Sequence, residues 1–249
     1  MNYIYFSASG TTKETISILS KAIGGNAVTY DLLRNPPEVQ VTFGKDEPAL
    51  FAFPVFGGRL PVISPEMIKK FKGDKTSAIA IVVYGNRAYD DALLELADLL
   101  SGQGFITVAA AAFVAQHSIF PEVASGRPDA EDRKKIITFA EAVKEKLLSP
   151  SPVEVKGKRP YVKAGTVSLH PTGDGNCNGC GTCVRVCPVN AIPAENPKKT
   201  DTRKCIACTA CIASCPRHSR AFHVPVIYPL VSRSFKKSNS ARKEPEIFL

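Results

Sequence analysis

Short apolar runs alternate with stretches of helical periodicity through the first 148 residues. Residues 2–6 read as a buried strand that passes into Ser7-Ala8-Ser9-Gly10-Thr11-Thr12. A helix follows, with apolar residues at Ile16, Ile18, Leu19, Ala22 and Ile23, and Gly24-Gly25 stops it. Further strands are predicted at residues 27–32, 49–54, 77–84 and 106–114, and helices at 65–71, 89–101 and 128–148. Five apolar strands separated mostly by helices predict an α/β fold with a doubly wound parallel sheet. Residues 33–48, with Pro36-Pro37, show no clear crossover helix; the expectation there is irregular chain with a short strand around residues 39–43.

Beyond residue 148 the pattern changes. Residues 149–160, rich in proline and charge, predict an extended and fairly stiff linker. A small module is expected over residues 161–231, with apolar residues of 221–230 closing it. Residues 232–249 have the polar, basic composition of a mobile tail.

Charge follows the same division. The chain carries a formal +9, yet residues 1–147 hold 16 basic against 17 acidic side chains and residues 148–249 hold 16 against 6. Lys198, Lys199, Arg203, Lys204, Arg217 and Arg220 therefore suggest either a solvated surface that also balances a bound anion, or steering of an acidic protein partner. No nucleic-acid motif accompanies these residues, so nucleic-acid binding is not expected. The N-terminus lacks the charged and apolar regions of a signal peptide, and the longest apolar run, 105–115, is too short to span a membrane. No membrane insertion and a cytoplasmic location are the resulting expectations; oligomeric state is open.

All eight cysteines fall in one segment. It reads Cys177-x-x-Cys180-x-x-Cys183-x-x-x-Cys187-Pro188 and then Cys205-x-x-Cys208-x-x-Cys211-x-x-x-Cys215-Pro216, the second copy displaced by 28 residues from the first. Two residues between cysteines let a tight loop aim successive thiolates at one small body, while the fourth cysteine lies beyond the loop and can reach elsewhere. Zinc sites also use C-x-x-C pairs, and eight cysteines can form four disulfides. Zinc requires neither the third cysteine nor the Cys-Pro ending, and disulfides require an oxidising compartment. The segment resembles a bacterial ferredoxin carrying two [4Fe–4S] clusters, in which each triplet borrows its fourth ligand from the other motif. The resemblance implies one cluster on Cys177, Cys180, Cys183 and Cys215, and a second on Cys205, Cys208, Cys211 and Cys187.

In the first domain, three loops sit at strand carboxyl ends, where ligands bind in doubly wound sheets. Hydroxyls and backbone N–H groups of residues 7–12 at a helix start make a cradle for a phosphate, although Ser9 or Thr11 acting only as an N-cap is the plainer alternative. The loop lacks the lysine of a nucleoside triphosphate loop, and no G-x-G-x-x-G occurs. It resembles the phosphate loop of flavodoxins, with Ser7, Ser9, Gly10 and Thr12 in matching positions. That resemblance implies FMN, bound also by Thr11, a flavodoxin-like five-stranded domain over residues 1–148, and two ring-binding loops. One holds Pro54, Val55, Phe56 and Gly57; the other holds Tyr84, Gly85, Asn86, Arg87 and Tyr89. Asn86 is expected at the pyrimidine edge, with Phe56 and Tyr84 or Tyr89 against the ring or, equally, in the core. Arg59 and Arg87 are expected either on a solvated surface or, for one of them, beside a reduced, anionic flavin. The chain lacks tryptophan, so the stacking indole of many flavodoxins is missing, and 116–121 is an uncommon insertion. Its His117 can face the flavin or a domain interface, or be purely structural.

Flavin and clusters in one chain imply an electron-transfer protein passing low-potential electrons between FMN, two [4Fe–4S] clusters and redox partners. The alternative is a flavin-dependent reductase of a small organic acceptor; the third is a sensing module that has lost FMN. No acid–base constellation near the flavin loops favours an enzyme.

Overall fold

A computed structural model describes residues 1–165 and 168–249. Strand β1 (Asn2–Tyr5) leads through residues 6–10 into helix α1 (Thr11–Ile23) and on to β2 (Val28–Asp31). Then come β3 (Val41–Phe43), β4 (Ala49–Pro54), α2 (Ser64–Ile68), β5 (Phe71–Gly73) and β6 (Thr76–Tyr84). Helix α3 (Ala92–Gly102), β7 (Phe105–Val114) and α4 (Ala130–Leu148) complete the first domain.

The main sheet runs β2-β1-β4-β6-β7, all parallel. This is the flavodoxin-like order, with the switch between β1 and β4. Its central strands are buried on both faces, and so they read as continuous apolar runs. Alternate residues serve opposite layers. Leu50, Ala52, Ile79 and Ile81 pack under α1 and α4 against Leu19, Ile136, Phe139 and Val143. Phe51, Phe53, Ala80 and Val82 pack on the other face with Leu93, Leu96 and Leu100 of α3. The irregular crossover forms β3, which pairs with β5 in a separate parallel ribbon. Its purpose is visible in the rings it delivers, because Phe43 and Phe71 join Phe51 and Phe105 in one aromatic cluster. Phe71, predicted to end a helix over 65–71, instead begins that second ribbon strand.

The linker is stapled rather than free. Val153 donates to Thr107 O (3.0 Å), and Lys158 and Val162 donate their N–H groups to the Asp91 carboxylate at 2.9 and 2.7 Å. Arg159 forks onto Asp98 at 2.8 and 2.5 Å.

The second module is built around β8 (Thr172–Gly173), α5 (Thr182–Arg185), α6 (Ala210–Ala213) and β9 (Arg220–Ala221). β8 and β9 pair antiparallel, and α5 and α6 are the two short helices that follow the second cysteine of each motif.

The terminal segment departs from the expected mobile tail. Residues Ile227–Ser238 form α7, and Glu246–Phe248 form β10, which pairs antiparallel with β7 as a sixth strand. Two causes are evident. Tyr228 and Phe235 pack with Phe120 and His117 of the insertion after β7. Strand β10 also satisfies the open edge of β7, which would otherwise present unpaired N–H and C=O groups. Composition registered the charges of this segment and missed its apolar stripe.

Candidate functional site

Helix α1 begins at Thr11 behind Gly10, which sits at φ 100°, a conformation suited to glycine. No side chain caps the helix at that position. Ser7, buried, takes the nearest capping role: its Oγ accepts from Lys13 N at 3.0 Å. Ser9 Oγ and Thr11 Oγ1 lie 3.2 Å apart, and Thr12 is buried. Among the described residues, the backbone N–H groups of Ser9, Gly10, Thr11 and Thr12 find no protein acceptor. Four unsatisfied donors at the positive end of a helix make an anion site.

Beside it lies a cavity of about 600 Å³ at the carboxyl ends of β1, β4, β6 and β7. Ala8, Ser9 and Thr11 contribute from the first loop, and Pro54, Val55, Phe56 and Gly57 from the second. Tyr84, Gly85 and Arg87 contribute from the third. Ser7, Gly10 and Thr12 are outside this lining: Ser7 and Thr12 are buried, and Gly10 is exposed. The Phe56–Arg59 turn closes with reciprocal backbone bonds of 2.8 and 3.2 Å, and Gly57 (φ 60°) touches the backbone of Gly165, just past the linker. A side chain at Gly57 would strike that backbone.

Two residues expected at the ring lie elsewhere. Asn86 is outside the cavity lining: its Nδ2 donates to Asn239 O and Ala241 O, both at 2.8 Å, and its Oδ1 accepts from Lys243 N at 3.1 Å. Tyr89 is also outside it, 7% exposed, with its hydroxyl on Glu246 at 2.9 Å. Burial and this carboxylate raise its pKa. Both side chains hold the returning terminal segment, which sequence reading had placed in solvent. Arg59 is likewise occupied: it forks onto Glu95 at 2.8 Å twice, donates to Val162 O, and stacks on Tyr161. Arg87 remains at the cavity, paired with Asp90. Burial pushes the Tyr84 hydroxyl up to about 12.

His117 joins the cavity wall. Its Nδ1 accepts from Ile119 N and Phe120 N at 3.2 and 3.1 Å, which leaves the proton of the neutral ring on Nε2. Burial, with Arg87 nearby, holds its pKa down at about 4. The ring packs against Gly85, where an added Cβ would meet His117 Cδ2 at 2.5 Å. The roof comes from places the sequence did not suggest: Val162, Lys163 and Gly165, just past the linker, and Phe235 of α7. The apolar stripe of α7 was the one signal for this, hidden within a basic composition.

The eight cysteines are not joined in disulfides. They line two small cavities. Cys177, Cys180, Cys183 and Cys215 surround one. Cys187, Cys205, Cys208 and Cys211 surround the other. Each cavity thus takes three cysteines from one motif and the fourth from the other. Among the described residues no three His, Cys, Asp or Glu side chains converge closely enough to hold a single metal ion. Four thiols set apart around a space suit a polynuclear body better than one zinc. Burial raises the pKa of Cys183, Cys205, Cys208 and Cys211, that of Cys208 to about 12. Thiolates at these depths would need a cationic body beside them.

Arg220, expected on the surface, is 2% exposed and lines both cysteine cavities. Lys198, Lys199, Arg203, Lys204 and Arg217 are exposed as expected.

Comparison with known proteins agrees with this division. The family described as "4Fe-4S dicluster domain" matches residues 172–216. An uncharacterized protein of Methanocaldococcus jannaschii is 29% identical over 114 residues, 38% of this chain and 53% of that protein. The chain therefore spans about half the length of that curated relative. The rubredoxin:oxygen oxidoreductase of the anaerobe Desulfovibrio gigas matches 59% of this chain and 36% of its own, with 12% identity and a TM-score of 0.40. A flavodoxin from the domain Archaea matches 59% of this chain and 99% of its own, with 12% identity and a TM-score of 0.38. The fold assignment rests on strand order and parallel pairing, not on those scores. The chain joins an α/β domain of flavodoxin-like strand order to a segment that matches the 4Fe-4S dicluster family. No helix among the described residues is long and apolar enough to cross a membrane.

Proposed function

We propose that the chain is an electron-transfer protein that binds FMN in the large cavity and one [4Fe–4S] cluster in each cysteine cavity. The observation that carries this is a shared wall. Cys208, with Ile206 and Ala207, lines both the large cavity and the second cysteine cavity. A thiolate there belongs to a cluster on one side and faces the flavin pocket on the other. FMN exchanges electrons singly or in pairs and each cluster exchanges one at a time, so together they pass electrons between carriers of different stoichiometry.

The remaining work is done by protein groups. The N–H groups of residues 9–12 and the hydroxyls of Ser9 and Thr11 receive the phosphate, while Ser7 and Thr12 hold the loop. Pro54, Val55, Phe56 and Gly57 form one wall for the ring. Tyr84, Gly85 and Arg87 form the other, with Arg87 supplying positive charge toward an anionic ring. Phe120, Phe235 and the segment just past the linker exclude water. The neutral His117 offers Nε2–H as a donor without adding charge. Cys177, Cys180, Cys183 and Cys215 hold the outer cluster, and Cys205, Cys208, Cys211 and Cys187 the one beside the flavin. Exposed Lys198, Lys199, Arg203, Lys204 and Arg217 steer acidic redox proteins that deliver or collect low-potential electrons. A cytoplasmic location belongs to the same proposal, since thiols stay reduced there.

Covalent linkage makes transfer between the domains intramolecular. In anaerobic stopped-flow with limiting low-potential reductant, the clusters bleach first and the flavin follows at a rate independent of protein concentration. A flavin rate that scales with protein concentration contradicts the shared-wall path. Steady turnover of a small organic acceptor by the loaded protein would move the assignment to a flavin-dependent reductase.

A further inference from the structure

We infer that Arg220 is a counter-ion shared by the two cluster sites, raising the reduction potential of both and favouring first reduction of the cluster beside the flavin cavity. The inference rests on the assignment of clusters to the two cysteine cavities.

Arg220 stands on β9 with its guanidinium between those cavities, and it is a lining residue of each. Its bonds go to neutral acceptors only. Nη1 donates to Pro197 O (2.8 Å), Lys198 O (3.3 Å) and Lys199 O (3.2 Å). Nη2 donates to Pro171 O (2.6 Å) and Thr200 Oγ1 (2.5 Å). Among the described residues no carboxylate pairs with it, in contrast to Arg59 and Arg127, which have one each, and Arg242, which has several. A buried cation without an anion is costly, because the charge is removed from water and nothing of opposite sign replaces it. Carbonyl dipoles offset part of that cost. Nε–H is buried and has no partner at all. Both deficits, of charge and of a hydrogen-bond acceptor, vanish if anionic clusters with sulfide and thiolate acceptors occupy the two cavities.

The placement is not symmetric. Nη2 also lies 3.8 Å from Cys211 Sγ, a thiol of the cavity that shares Cys208 with the flavin pocket. Each one-electron reduction adds one negative charge to a cluster and its thiolates, with no bond made or broken; the electron comes from the external low-potential donor. A fixed positive charge stabilises the more negative form, and an N–H bond to a ligand sulfur does the same. Arg220 provides charge to both sites and a direct sulfur contact to one. The contacted cluster is therefore the easier of the two to reduce, and the electron rests next to the flavin.

The test is an EPR-monitored redox titration of the whole chain, loaded anaerobically, as wild type, R220K and R220Q. Removing the charge should make both clusters at least tenfold harder to reduce, 59 mV for a one-electron couple. The shift should be larger for the cluster whose spectrum changes when Cys211 is replaced by serine. R220K, which keeps the charge, should stay within threefold of wild type. Fully loaded R220Q with unmoved potentials, or R220K shifted as far as R220Q, overturns the inference. If neither variant loads, the unaltered protein labelled with ¹⁵N-guanidinium arginine decides. Pulsed EPR of its first reduced cluster should show a ¹⁵N coupling, and its absence is equally fatal. Unaltered protein without iron and sulfide would instead remove the cluster assignment itself, a different failure with a different signature.

Discussion

Replacing Asn86 with alanine tests whether the returning terminal segment is a designed part of the flavin end of the first domain. Asn86 lies at φ 62°, which asparagine tolerates and alanine does not, a difference of roughly 1 kcal/mol. Its side chain makes two bonds to the carbonyls of Asn239 and Ala241, and accepts one from Lys243 N and one from Arg127 Nη1. Each is worth about 1 kcal/mol net. Lys243 N and the two carbonyls can turn to water if the strap lifts, whereas Arg127 keeps its Asp132 partner at 2.7 and 2.5 Å. The loss is therefore counted on the three strap bonds, about 3 kcal/mol, because the φ strain at position 86 stays whether the strap is closed or lifted. That loss should appear as local opening of residues 239–248 before global unfolding. Hydrogen exchange is the assay. Amides of β10 that are bonded to β7 should exchange about a hundredfold faster, since 1.4 kcal/mol is about tenfold. Exchange within threefold of wild type would show that the strap is held by β10 pairing and α7 packing alone, and the reasoning would be wrong.

Other substitutions probe the cavity directly. In Gly85→Ala the new Cβ meets His117 at Cδ2, Cα and Cβ within 2.5 to 2.8 Å, contacts that the ring alone cannot relieve. Thermal unfolding should report a loss of about 1–3 kcal/mol, and titration should show weaker FMN binding; unchanged values would mean that the insertion yields freely. The buried, neutral His117 gives a pH dependence of definite sign. Its folded pKa of about 4 lies below the ordinary 6.5, so its contribution is complete above 6.5 and is lost as pH falls toward 4. Urea midpoints should fall across that window in wild type and less steeply in His117→Gln; parallel slopes would refute the assignment.

The sequence was most legible where a local pattern has a single physical meaning. Strands β4, β6 and β7 are buried on both faces, and only near-continuous apolar runs can fill such places. The two fourfold cavities group the cysteines as the resemblance to bacterial two-cluster ferredoxins implied. Other features depend on contacts distant in sequence. Asn86, Tyr89 and Arg59 have residue types suited to a flavin, yet partners more than 30 positions away claim them. Arg220 reads as one more surface charge until β8 and β9 pair and close over it. The apolar stripe of α7 was masked by Arg233, Lys236 and Lys237, which point away from the packed Tyr228 and Phe235.

Iron, acid-labile sulfide and flavin measured on a single anaerobic preparation of the full chain test the central claim most directly. Two cages of four thiolates predict about eight iron and eight sulfide per chain, and the cavity beside Cys208 predicts one FMN. Zinc in place of iron, with no sulfide, would contradict the cluster assignment and leave the flavin pocket with nothing to exchange electrons with.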